Sequence, residues 1–143
     1  VTKRYGIRAC GPNCEGYYNA MGRVATTFSP TVETKDDGSA VLVSPKRIGV
    51  IAQSGGIGFA LFNRGKAAGL GFSYVISTGN EAGLASTDFL EFLADDPSTR
   101  VIALYTEHIR RPAEFRAASR SQCRGAPPAP RGESLPASAS AGR

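Results

Sequence analysis

Residues 47–58 read RIGVIAQSGGIG, and this stretch decides the fold. Ile48, Val50 and Ile51 are apolar and β-branched, which suits the interior of a parallel sheet, so residues 47–52 are expected to form a buried strand. Gln53, Ser54, Gly55 and Gly56 make a sharp polar turn. Residues 57–69 then read as a helix. Ile57, Ala60, Leu61 and Ala68 recur near the helical period, Asn63, Arg64 and Lys66 are polar, and Gly69 or Gly71 ends it. Glycines at a helix start leave backbone N–H groups able to face an anion, with the Ser54 hydroxyl as a further donor. The same residues also suit a plain βα turn with Ser54 as an ordinary cap, and local sequence leaves both readings open. No GK[ST] follows, so this is not a Walker loop, and the dinucleotide fingerprint is incomplete.

Two more strand–loop–helix units follow. Residues 72–77 form a strand through Tyr74, Val75 and Ile76, and residues 78–85 a Gly-rich polar loop. Ser86 or Thr87 can cap the next helix, in which Asp88 and Glu91 complement the dipole and Leu90 and Leu93 share one side. Asp95, Asp96 and Pro97 end it. Residues 100–105 are the third strand and 106–111 its loop. Pro112 suits a helix N1 position, and Phe115 and Ala118 are expected to face the sheet. This repeat argues for a parallel sheet with right-handed crossovers, and ligand sites in such sheets lie beyond the carboxyl ends of the strands.

Upstream, residues 3–9 are ambiguous and could be the last strand of a preceding domain. Gly11, Pro12, Asn13 and Gly16 shape a compact loop in CGPNCEGYYN. Residues 20–46 read as a connector with a turn at Asp36, Asp37 and Gly38 and a short strand at 40–43. From Ser119 onward Ala, Ser, Pro, Arg and Gly dominate, and a disordered tail is expected.

Composition narrows the function classes. Of a formal charge of +5, residues 119–143 supply +3 through four Arg and one Glu, so no basic stripe remains elsewhere and a nucleic-acid partner is not expected. Cys10, Cys14 and Cys123 are odd in number and irregularly spaced, which suggests neither a disulfide framework nor a metal site and fits a reducing, cytoplasmic setting. No apolar run approaches a membrane span.

Three further constellations can carry chemistry. Residues 77–81, STGNE, follow a strand and would share a rim with Ser54, as pocket wall or as simple turn. Glu107 closes the third strand on that rim, where a carboxylate can orient a histidine or an ammonium. His108 is the single histidine, without a nearby nucleophile, and reads as a surface imidazole. Cys14 lacks a histidine nearby in sequence and reads as a small packed residue, while Asn13 holds backbone or touches a ligand.

GPNCEGYYN, then IGVIAQSGGIGFAL, then GFSYVISTGNEAGLASTDFLEFLADDPSTRVIALYTEHIR together resemble the NDP-forming (ADP-forming) acyl-CoA synthetases, relatives of the succinyl-CoA ligase alpha subunit. The resemblance covers about residues 5–118. It implies an α/β, flavodoxin-like (Rossmann-like) parallel sheet with flanking helices, incomplete here and preceded by the end of a CoA-binding domain. The implied organisation is 1–19 as remnant of that domain, 20–46 as connector, 47–118 as partial ligase domain and 119–143 as a disordered or frameshifted tail.

The implied reaction interconverts acyl-CoA, ADP and phosphate with carboxylic acid, CoA and ATP through acyl phosphate and a phosphohistidine. By resemblance, Ser54, Gly55 and Gly56 match the helix start that holds the histidine's phosphate. Glu107 matches the acid that orients the histidine ring, and Asn13 and Cys14 the loop beside the CoA thiol. The family's phosphohistidine lies beyond the next strand, so His108 does not match it, and this chain alone is expected to be inactive. CoA is the implied cofactor. ATP or ADP with Mg2+ belongs to a beta (ATP-grasp) subunit or domain, with oligomerisation left open. The alternative is a non-catalytic CoA- or anion-binding module, or a nonfunctional remnant.

Overall fold

The computed structural model describes residues 3–32 and 47–123. After a 3-10 turn at Lys3–Tyr5, the order is β1 (Gly16–Asn19), β2 (Val24–Thr27), β3 (Ile48–Ala52), α1 (Gly55–Ala67), β4 (Phe72–Ser77), α2 (Ser86–Asp95), β5 (Val101–Tyr105) and α3 (Pro112–Cys123). The three predicted βα units are present. The expected strand at 40–43, the turn at 36–38 and the tail beyond residue 123 lie outside the described residues.

The strands form one sheet in the order β2-β1-β4-β3-β5. β3 pairs in parallel with β4 on one side and β5 on the other. These three strands point the same way, so the loops after them gather on one rim. The flavodoxin-like parallel core is as expected, but the sheet as a whole is mixed. β1 runs antiparallel to β4, with Tyr18 opposite Val75, and β2 runs antiparallel to β1. Residues 16–19 and 24–27, read from sequence as loop and connector, are therefore a hairpin. Its turn is held by Gly22 N–H donating to Asn19 Oδ1 at 2.9 Å.

Alternation along β3 builds a core on each face. Val50 joins Tyr18, Phe59, Phe62, Phe72 and Val75 on the α1 face, while Ile51 joins Ile76, Leu90, Leu93 and Ala118 on the α2 and α3 face. Phe62 is the hinge of an aromatic cluster, with ring centroids 5.0 Å from Tyr18 and 5.1 Å from Phe72. Three sequence expectations change here. The buried stripe of α1 is Gly58, Phe59, Phe62 and Gly65, whereas Ile57 and Leu61 are exposed. Both sets have helical spacing, and the aromatic cluster selects the one that packs. Second, the N-cap of α2 is Ala85, with Ser86 and Thr87 already helical and buried. Third, α3 continues past Ala118 to Cys123, so the helix outruns the composition break at Ser119. Phe115 and Ala118 do pack against the sheet, as expected.

Candidate functional site

The rim is assembled from main chain first. The β3–β4 and β3–β5 ladders each extend one step past the strands, through Thr78 N–H to Ala52 O at 2.8 Å and Gln53 N–H to Tyr105 O at 3.1 Å. Opposite them, the 9–13 loop is zipped onto the 80–84 loop. Asn80 N–H donates to Pro12 O, Ala82 N–H to Gly11 O and Leu84 N–H to Ala9 O, each at 2.8 Å. Gly11-Pro12 is a cis peptide, Asn13 has φ +55, and its Nδ2 donates to Asn80 Oδ1 at 3.2 Å. Gly79, at φ +59, lies so close to the carbonyls of Pro12 and Asn13 that a Cβ there has no room. Glu15 is held by its N–H donating to Ser77 Oγ at 3.0 Å and its carbonyl accepting from Thr27 Oγ1 at 2.7 Å.

These loops enclose an open cavity of about 580 Å³. It brings together every residue singled out as a site candidate: Asn13, Cys14, Ser54, Gly55, Gly56 and Glu107. His108 lines it as well. The structure adds Glu15, Phe28, Gln53, Gly79, Asn80 and Arg110. Gln53 had a sequence signal as part of the polar turn after β3, Asn80 and Gly79 as part of a strand-end loop, and Arg110 a weaker one on the same grounds. Glu15 and Phe28 had none, because the hairpin that carries them to the rim was not legible.

α1 begins at the floor of this cavity. Ser54 is its N-cap by backbone conformation, but its side chain makes no capping hydrogen bond, so the hydroxyl is available. No acidic residue lies in the first turn of α1. A Cβ placed on Gly56 would meet no atom within 4 Å, so nothing in the protein's own packing requires glycine there. Gly55 differs, because a Cβ there would run into the Glu15 side chain. The cavity therefore pairs an N–H-rich helix start with one guanidinium, Arg110, and two carboxylates, Glu15 and Glu107.

Arg110 is braced by its Nη1 donating to Glu81 O at 2.7 Å. Glu81 is buried at φ +54, and its Oε1 accepts from Thr78 Oγ1 and Ser86 N–H, both at 2.9 Å. Arg111 pairs with Asp88 and with Glu114, the latter at 2.8 Å. Burial alone would raise the Asp88 pKa. The Arg111 hydrogen bond and the Ala85 N–H override it and hold the carboxyl below its usual value of 3.8. Outside the cavity wall, Cys10 Sγ donates to Ser77 O at 3.4 Å. Desolvation, with help from the neighbouring Cys14, pushes the Cys10 thiol up to about 11.

A parallel three-stranded core flanked by helices, with a glycine-rich helix start at its carboxyl rim, defines a flavodoxin-like α/β module. The family model of the succinyl-CoA ligase like flavodoxin domain matches residues 45–127, more than half of the 143 residues, and the chain belongs to that family. It is 38% identical over 127 residues to an acetate–CoA ligase (ADP-forming) I of Archaeoglobus fulgidus, covering 89% of this chain and 17% of that protein. It is 34% identical to the alpha subunit of acetate–CoA ligase (ADP-forming) I of Pyrococcus furiosus, covering 77% of this chain and 22% of the subunit. Among solved structures it resembles a dinucleotide forming acetyl-coenzyme A synthetase 1 of Ca. Korarchaeum cryptofilum, in complex with phosphate and ADP. That match has TM-score 0.72 and 36% identity, and covers 85% of this chain and 24% of the other. The chain thus carries an alpha-subunit-like flavodoxin domain and spans roughly a quarter or less of these relatives. Among the described residues no helix is long and apolar enough to cross a membrane, and no cluster of His, Cys, Asp and Glu could hold a metal ion.

Proposed function

We propose that this chain is part of an ADP-forming acyl-CoA synthetase and forms one half of a cradle for a phosphorylated histidine presented from outside it. The observation that carries the reading is the single cavity shared by Ser54, Gly55, Gly56 and Glu107. In this reading the N–H groups at the start of α1 and the Ser54 hydroxyl receive the phosphoryl oxygens, where free donors and the helix dipole favour negative charge. The Glu107 carboxylate accepts a hydrogen bond from the imidazole N–H and so fixes the ring's orientation. Arg110 adds positive charge on the same wall. The start of α1 is open beside Gly56, where an added Cβ would meet no protein atom.

Asn13 and Cys14 border the same cavity and are assigned to the approach of the CoA thiol. Relatives named as ADP-forming acetate–CoA ligases, with one named alpha subunit, support this reaction class and imply a beta (ATP-grasp) partner. The nucleotide and its Mg2+ are assigned to that partner. The cytoplasmic setting belongs to the same proposal.

The test is a titration of the 15N-labelled chain with inorganic phosphate and with a short peptide bearing a stable phosphonate analogue of phosphohistidine. Both should shift the Gly55 and Gly56 amides, and Glu107→Gln should weaken the peptide alone. Binding of CoA without any response at residues 54–56 would replace this reading with that of a CoA-binding module. Stable labelling of the isolated chain by ATP would also overturn it, since no phosphoryl carrier is assigned here.

A further inference from the structure

The side chain of Gln53 continues the sheet after its backbone has stopped. β3 and β5 pair as far as Ala52 opposite Tyr105, and Gln53 N–H adds one bond to Tyr105 O. Beyond that point the two chains diverge, and the Gln53 carboxamide bridges the gap. Its Oε1 accepts from Glu107 N–H at 2.7 Å and from His108 N–H at 3.1 Å, and its Nε2 donates to His108 O at 2.8 Å. The second lone pair of that carbonyl takes Thr106 Oγ1, also at 2.8 Å. Gln53 is only 6% exposed.

A primary amide has the donor and acceptor of a peptide group on one neutral plane, and two methylenes give it the reach. Glutamate would lose the donor, lysine the acceptor, and asparagine one carbon of length. The residue adjoins Ser54, so a single short segment positions both walls of the cavity. Its backbone leads into the α1 start, and its side chain holds the loop that bears Glu107.

We infer that Gln53 is the positioning residue for Glu107, setting the distance between that carboxylate and the start of α1. This rests on the reading above, in which Glu107 contacts the histidine ring and residues 54–56 its phosphate. It adds a residue through which that geometry is set.

The test uses the full 143-residue chain, Gln53→Leu and Gln53→Glu. Amide hydrogen exchange of the free proteins is read first. Losing a buried hydrogen bond should speed exchange at Glu107 and His108 about tenfold in the Leu variant, with Gly55 and Gly56 unchanged. Gln53→Glu keeps the acceptor for the Glu107 and His108 N–H groups but sets an oxygen against His108 O, so it should restore the protection only in part. The Leu variant should then bind the phosphonate-analogue peptide about tenfold more weakly, yet bind inorganic phosphate within twofold of the parent.

Unchanged exchange at residues 107 and 108 would overturn the inference. So would a parallel fall in both probes, which would mark a general structural role. If the parent chain binds neither probe, the phosphohistidine reading fails instead, and the exchange data still decide whether Gln53 holds the Glu107 loop.

Discussion

Arg111 and Asp88 form an ion pair that ties the start of α3 to the first turn of α2. Asp88 also accepts the Ala85 N–H at 2.7 Å, so one carboxylate caps α2 and anchors the end of the 106–111 loop. Its pKa in the folded protein lies below the usual 3.8, because these partners outweigh the cost of burial. The stabilisation is therefore fully present above that usual value and is lost as pH falls through the folded-state pKa. Asp88→Asn keeps a capping oxygen and removes the charge. The variant should melt below the parent by a level margin from pH 6 down to about pH 4, and the margin should shrink as pH falls below the usual carboxylate value. A gap that stays constant below that value as well would show that the charge contributes nothing.

Gly56→Ala separates folding from binding. Alanine in a helix is favoured over glycine by about 0.5–1 kcal/mol, and no protein atom opposes the new methyl group. The variant should be slightly more stable in urea. It should also lose phosphate binding, because the methyl group occupies the space at the start of α1. Unaltered phosphate binding in a stabilised variant would place the anion elsewhere.

The choice of buried face on α1 can be tested with a pair of truncations. Phe62→Ala removes the ring that links Tyr18 to Phe72, and such a change typically costs about 3–5 kcal/mol. For a domain of this size that is a large share of the total stability. Leu61→Ala, at an exposed position, should fall within about 0.5 kcal/mol of the parent. Equal losses in chemical denaturation would contradict the packing described here.

Local pattern reached far into this protein. Val50 and Ile51, Val75 and Ile76, and Ile102 and Leu104 announce three strands, and each is followed by a polar loop and a helix. The direction of those strands follows from the repeated βα unit, since a helical crossover returns the chain parallel to itself. That was enough to place Ser54, Thr78 and Glu107 on a common rim. Periodicity could not choose between Leu61 and Phe62 on α1, because both stripes obey the helical repeat. Nor could it find β1, whose four residues sit in a Gly-rich stretch and become a strand by pairing with β4, more than fifty residues away.

The sequence by itself determined the parallel βα core, the glycine-rich start of α1 and the rim on which a ligand would sit. These depend on local rules of burial, turn chemistry and strand direction. Only the tertiary structure decided what closes that rim. The 9–13 loop meets the 80–84 loop through non-local main-chain bonds, and the hairpin carries Glu15 and Phe28 to the cavity. Gln53 spends its side chain on residues 107 and 108, a pairing with no sequence signature, because it depends on where two strands diverge in space.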